Sequence, residues 1–342
     1  MVATTMPTPP RDHTNYHFEI RHEALEGALD RFSQFFIAPL FSPTFTEREM
    51  NAVNSEAQFR LENDNWREFQ LNCSISNADH PANHYNIGNK ETLSGTTREE
   101  LMAFYKKYYS ANQMTLSVVS KTPLDQLESW VRTYFSPVVD HNYENLRFSP
   151  EYLSPKAALR LIRMEPLKDV RQLGLVFPLP GTGDFYASKP TELIGYILGY
   201  EGEGSLLSQL KAEGLATSIS GGAEARTDDF GWFNINIMLT PAGLEKYSHV
   251  MELVFSTINQ LRSNDYPSYL FHERQAMAGL DEVFKDKGEG AGRATNMANY
   301  LRDYPFEIAE RGPYLWLKED PASYKMVLDQ LRPDNLMATL MA

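Results

Sequence analysis

The chain has 342 residues, 42% of them apolar and 12% aromatic, enough for about two domains of roughly 150 residues, each with its own core. Its formal net charge of −13 opposes a phosphate backbone and speaks against nucleic acid as a partner, while suiting solubility or attraction of basic peptides. No apolar run approaches the ~18–20 residues of a membrane span, the opening MVATTMPTPP lacks the basic and apolar regions of a secretory signal, and the single cysteine, Cys73, excludes an internal disulfide and a cysteine-based zinc site. Residues 1–12 read as a flexible lead, and a reducing, cytoplasmic setting is expected.

In chain order, NYHFEI (15–20) alternates like a strand. In residues 22–40, Leu25, Ala28, Leu29, Phe32, Phe35 and Phe36 recur at helical spacing, and Pro39 ends the helix. Thr46, with Glu49 three residues on, predicts the start of a second helix. A polar stretch over 76–95 reads as a surface loop. Residues 96–110 predict a helix, 114–120 (MTLSVVS) a strand and 123–135 a helix. Three prolines within 136–156 place a boundary between a first domain, 13–147, and a second, 148–342. In the second, ALRLIRM and RQLGLVFPL predict strands, KPTELIGYILGY and LLSQLKAEG helices, ATSISGGAEA and GWFNINIMLT a strand pair, and the segments from Gly243 and from Tyr269 two long helices. HFEIRHEALEGALDRF and NINIMLTPAGLEKYSH share an order of strand, polar break and helix, which suggests two copies of one α+β unit.

Glu49 and Glu56 stand seven apart on the second helix, so both carboxylates lie on one face roughly 10 Å apart along the axis. Solvated helix formers would look the same. A zinc site needs three or four converging ligands. The eight histidines (13, 17, 22, 80, 84, 141, 249 and 272) form neither HExxH nor HxxEH. His80 and His84 flank Pro81 and Asn83 in the polar loop, a surface position rather than a ligand pair.

The run HTNYHFEIRHEALEGALDRFSQFFIAPLF…EREMNAVNSE resembles the M16 zinc metallopeptidases, in their insulin-degrading branch. NIGNKETL, YKKYYSANQM, GYEGEGSLLSQLKAEG, FKDKGEG and VLDQLRPDN continue the likeness in the same order; the first ten or so residues and the closing LMATLMA do not follow it. The resemblance implies tandem α+β domains, each a sheet with helices on one face, and zinc-dependent cleavage of peptides. It implies that Glu56 is a zinc ligand and that Glu49 orients a ligating histidine through its free ring N–H. The two histidines and the base of HxxEH would lie upstream of His13. This chain is therefore expected to lack them, to have an incomplete first domain, to hold no zinc alone and to be inactive as given. The resemblance further implies a peptide-gripping site at Gly199, Tyr200, Gly202, Gly204, Ser220, Gly221 and Gly222, where an edge strand adds a peptide. Tyr200 stands where that branch usually has histidine. The alternative is a non-catalytic peptide-binding subunit, partnered by a complementary M16 half or by a second copy.

Overall fold

The structure, a computed structural model, describes residues 2–3, 13–85, 87–149, 151–153, 160–225, 227, 229–286 and 288–342. In the first unit the helices are α1 (Leu25–Ile37), α2 (Pro43–Arg60), α3 (Asp64–Ile75), α4 (Lys90–Leu93), α5 (Arg98–Tyr108) and α6 (Leu124–Phe135). The strands β1 (Val2–Ala3) and β2 (Phe18–Glu19) pair antiparallel. The remainder of the expected flexible lead, residue 1 and residues 4–12, lies outside the described residues. α1 turns Leu25, Leu29 and Phe32 inward, as its spacing predicts, and the first two meet Leu127 of α6. Phe32 sits edge-on to Phe18 at 4.9 Å and to Phe36 at 5.3 Å. Thr97 and Glu100 close a reciprocal capping box that starts α5.

Two local expectations change. The second helix begins at Pro43 with Ser42 in the capping position, so Thr46 and Glu49 lie inside it and form no capping box. Pro at the first helical position supplies a fixed φ where no N–H is needed, and that signal outweighs Thr46. Residues 114–120 belong to no ladder among the described residues. A strand is defined by its neighbour, and a one-segment pattern cannot supply one.

The second unit holds β3 (Arg160–Met164), β4 (Gln172–Pro180), β5 (Ala216–Ala225), β6 (Phe230–Leu239) and β7 (Met337–Met341) in one sheet of order β3-β7-β4-β6-β5. Only β3–β7 is parallel. Its helices are α7 (Pro190–Leu198), α8 (Leu206–Ala212), α9 (Pro241–Glu245), α10 (Tyr247–Ser263), α11 (Ser268–Phe284), α12 (Gly290–Asp303) and α13 (Pro321–Gln330). β7 lies within the closing LMATLMA segment, and its five residues are all buried. Alternation sorts the sheet's side chains. Leu173, Leu175, Phe177, Phe233, Ile235 and Ile237 face the core with α7, α8, α10 and α13.

The opposite residues, Val176, Phe230, Trp232 and Met337, are buried as well, against Tyr152 and Ala82. Helices thus cover one face, and the first unit covers part of the other. The stretch expected as a surface loop provides some of that cover. His80 is only 2% exposed and sits edge-on to Phe230 at 4.5 Å. Its Nδ1 accepts the Ala82 N–H at 3.1 Å, so Nε2 carries the proton and donates it to the Ser149 carbonyl at 2.9 Å. Burial pushes its pKa below the ordinary imidazole value. α3 is anchored nearby: the Asp64 carboxylate accepts the Leu167 N–H at 2.9 and 3.0 Å.

Candidate functional site

α2 carries both expected acids. Glu49 is exposed and Glu56 half-buried. The nearest partner of Glu56 is Arg60, one helical turn on, whose Nε donates to Oε1 at 3.0 Å and whose guanidinium lies 3.8 Å from the centroid of the Trp66 ring. That stacking holds the guanidinium in place, so the pair is better organised than a free surface i,i+4 pair. Arg60 was readable from its spacing and was missed. Among the described residues, no three His, Cys, Asp or Glu side chains are grouped closely enough to hold a metal ion. The donor set at Glu56 is one carboxylate facing a cation, which does not fit Zn²⁺.

The expected peptide-gripping residues do come together at one edge of the second sheet. α7 ends at Gly199, whose N–H bonds to Gly195 O at 2.9 Å. Gly204 holds φ +80°, a left-handed turn open to glycine, just before Ser205, whose hydroxyl accepts the Ser208 N–H at 3.0 Å and caps α8. Tyr200 is about half exposed, and its ring occupies the space that a side chain on Gly202 would need. β5 is an outer strand, paired only with β6. Its residues divide by face. Gly221 lies against Leu198 and Gly195 of α7, so its bareness serves helix packing. Ser220 and Gly222 point the other way, paired in register with Asn236 and Asn234; Ser220 is exposed, and a Cβ on Gly222 would meet nothing within 4 Å.

Three residues beside this edge were not anticipated. Tyr196, on α7, lies 6.0 Å from the Tyr200 ring; its hydroxyl donates to Glu273 Oε1 at 3.3 Å, and Arg274 stands 4.9 Å above its ring. Burial, then the Glu273 carboxylate, push the Tyr196 phenol up from its ordinary value, so it stays a donor at neutral pH. Tyr196 and Tyr200 are four apart in the sequence, a spacing that would have found the first had the helix run on; α7 ends between them, at Leu198. Such an edge can add a peptide strand through its backbone, with the tyrosines as apolar contacts.

An α+β sheet unit with a glycine-lined outer strand, joined to a helical unit that carries an acidic helix, is shared by a known class of proteins. The family model described as the Peptidase M16 inactive domain matches residues 96–277, and that described as Insulinase (Peptidase family M16) matches residues 7–79. The chain belongs to the M16 peptidase family. It is 36% identical to the insulin-degrading enzyme of Homo sapiens over 338 residues, 97% of this chain and 33% of that protein. To the A-factor-processing enzyme of Saccharomyces cerevisiae it is 35% identical over 339 residues, 96% of this chain and 33% of that protein. A relative in Schizosaccharomyces pombe is named a putative zinc protease. The chain spans about a third of the length of these relatives. The fold matches the crystal structure of pitrilysin with a TM-score of 0.92 at 24% identity, over 99% of this chain and 37% of that one. It also matches the first half of the periplasmic protease PqqL from Escherichia coli with a TM-score of 0.72 at 14% identity, over 99% and 75%. Among the described residues, no helix is long and apolar enough to cross a membrane.

Proposed function

We propose that the chain is the peptide-holding portion of an insulin-degrading-enzyme-like zinc metalloendopeptidase. It grips an extended peptide along β5 and contributes one zinc ligand, Glu56, to a centre whose histidines and base come from polypeptide outside these 342 residues. Glu49 orients one of those histidines. The observation that supports this reading is the outer position of β5, with Ser220 and Gly222 turned away from α7 and Tyr200 about half exposed just past the end of that helix. Main-chain bonds along such an edge give affinity for many sequences, and the net charge of −13 favours basic ones. Alone, the chain holds no complete metal centre and hydrolyses nothing. The Arg60 partner of Glu56 is released when the centre is assembled.

A second reading, a non-catalytic partner subunit, is favoured by the family's inactive-domain model covering residues 96–277. The two share the peptide edge and differ in whether Glu56 meets a metal. Titration of the chain with insulin B chain tests the edge. Saturable binding that is weakened by Gly222→Trp supports it, and an affinity unchanged by Gly222→Trp removes it. Metal analysis tests the rest: one tightly held zinc in the isolated chain, lost on Glu56→Gln, would overturn the incomplete centre.

A further inference from the structure

α3 presses the carboxyl group of Glu68, half-buried, against the sheet of the second unit. It bonds with the Thr339 side chain, and no Lys, Arg or His among the described residues pulls its pKa down; desolvation raises it, and the Thr339 bond offsets only part of that. The cation closest in sequence is committed elsewhere: Arg67 donates to Asp64 at 2.8 Å and to the Glu165 carbonyl at 3.1 Å. A carboxylate drawn out of water is costly unless a cation or a full set of donors meets it. Glu68 has one hydroxyl.

The sheet gives this carboxylate a polar lane to its outer edge. Thr339, Gly174, Asn236 and Ser220 are successive partners in register across β7, β4, β6 and β5. The bareness of Gly174 makes the room: the place its Cβ would take lies 3.2 Å from Glu68 Oε1 and 3.6 Å from Asn236 Oδ1. Both acceptor oxygens therefore hang over one residue. Gln172 Nε2 donates to Asn236 Oδ1 at 3.3 Å, which leaves that oxygen a second lone pair. Thr339 is buried, whereas Asn236 and Ser220 are exposed. The lane thus starts open at β5 and ends, beneath α3, on an amide oxygen and an unpaired carboxylate.

We propose that this lane is a specificity subsite for a basic side chain, arginine before lysine, of a peptide laid along β5, with Glu68 as its counter-charge. The inference rests on the reading of β5 as a peptide edge and adds what that edge selects. Neighbouring strands lie about 4.8 Å apart, so the residue opposite Ser220 on an added strand stands about 10 Å from Asn236 and about 14 Å from Gly174. Short side chains stop over Ser220. Lysine and arginine lay a methylene stem across it and carry a cation to Asn236, where the Glu68 charge attracts it. The planar fork of arginine donates to two oxygens at once, which suits the Asn236 and Glu68 pair; an ammonium is a point charge. A charge that is unmatched in the empty chain and matched by one class of guest discriminates against all others.

The probes are capped peptides of sequence Ser-Thr-Val-Thr-Xaa-Thr-Val-Thr-Ser, with arginine, norleucine or glutamate as Xaa, titrated into the full chain at low ionic strength. The arginine peptide is expected to bind about tenfold more tightly than the norleucine peptide, and the glutamate peptide more weakly than either. In Glu68→Gln the arginine advantage should collapse to about twofold or less with the norleucine affinity unchanged, a shift in ratio that a merely structural effect does not produce. Gly222→Trp should weaken all of them alike. Equal affinities for arginine and norleucine, or an advantage that survives Glu68→Gln, would overturn the subsite and leave the β5 edge standing. Arginine binding undiminished by Gly222→Trp would overturn it as well, since the cation would then reach Glu68 without the edge. If none of the peptides binds, the edge falls and the subsite with it.

Discussion

Gly195 of α7 and Gly221 of β5 touch backbone to backbone: a Cβ on Gly195 would stand 2.7 Å from the Gly221 carbonyl oxygen. That contact lays α7 flat on the outer strand and sets where Tyr196 and Tyr200 stand beside it. Gly195→Ala adds about 1 kcal/mol of helix propensity but forces α7 away from β5. A net loss of roughly 1 kcal/mol or more is expected in urea unfolding, because the neighbour is backbone and cannot rotate aside. Gly222→Ala, with open space around it, is expected to stay within about 0.5 kcal/mol of the parent.

His80 joins the two units as a neutral ring. Its folded pKa lies below the ordinary value of 6.5, so the unfolded chain binds the proton more readily. Stability is therefore full above that value and declines as pH falls from it toward the folded pKa. Charging would place a second N–H against the Ala82 N–H, a repulsive pair. His80→Ala should cost about 2–4 kcal/mol through the lost bonds and ring contacts, and it should flatten the stability profile below pH 6.5. Urea midpoints measured at a series of pH values check both.

Glu68, on α3, lies against the sheet of the second unit. Its Oε1 is 3.2 Å from the Cβ position of Gly174, and it bonds with the Thr339 side chain. Desolvation raises its pKa above 4.5, an effect the Thr339 bond only partly offsets. The folded state holds the proton more tightly, so stability falls as pH rises through the folded pKa. Glu68→Gln keeps an acceptor for Thr339 and removes the charge. It should stabilise the chain at pH 7 by on the order of 1 kcal/mol, with the advantage vanishing below pH 4.5. Thermal unfolding of the two proteins across that range tests the sign.

His249 is bracketed by Glu213 at 2.8 Å and Glu252 at 3.4 Å. The hydrogen bonds to Glu213 and then Glu252 raise its pKa above the ordinary imidazole value. Any stability it adds is present below that value and fades as pH rises through the folded pKa. Proton NMR of the ring should show a titration above 6.5 that moves down in Glu213→Gln.

The periodicity of residues 22–40 located α1 and its buried face, and alternation in RQLGLVFPL and GWFNINIMLT located β4 and β6. These are local signals, carried by one segment reading its own period. Glu49 and Glu56 were found on one helix face for the same reason, and Tyr196 and Arg60 were there to be found. By contrast, β7 carried no alternation because both of its faces are buried, and a continuous apolar run is ambiguous. The loop around His80 read as polar surface because its composition is polar, although it lies over Phe230 and Tyr152.

By itself the sequence determined the α+β class, most of the elements and membership of the M16 lineage, since each rests on residues near one another in the chain. Tertiary structure alone decided which strand lies outermost, which glycines face a helix and which face solvent, that Arg60 rather than an imidazole meets Glu56, and that Glu68 of α3 stands over Gly174 of β4. Those are relations between segments distant in sequence. Their energies come from burial and backbone pairing that exist only once the sheet and helices have assembled.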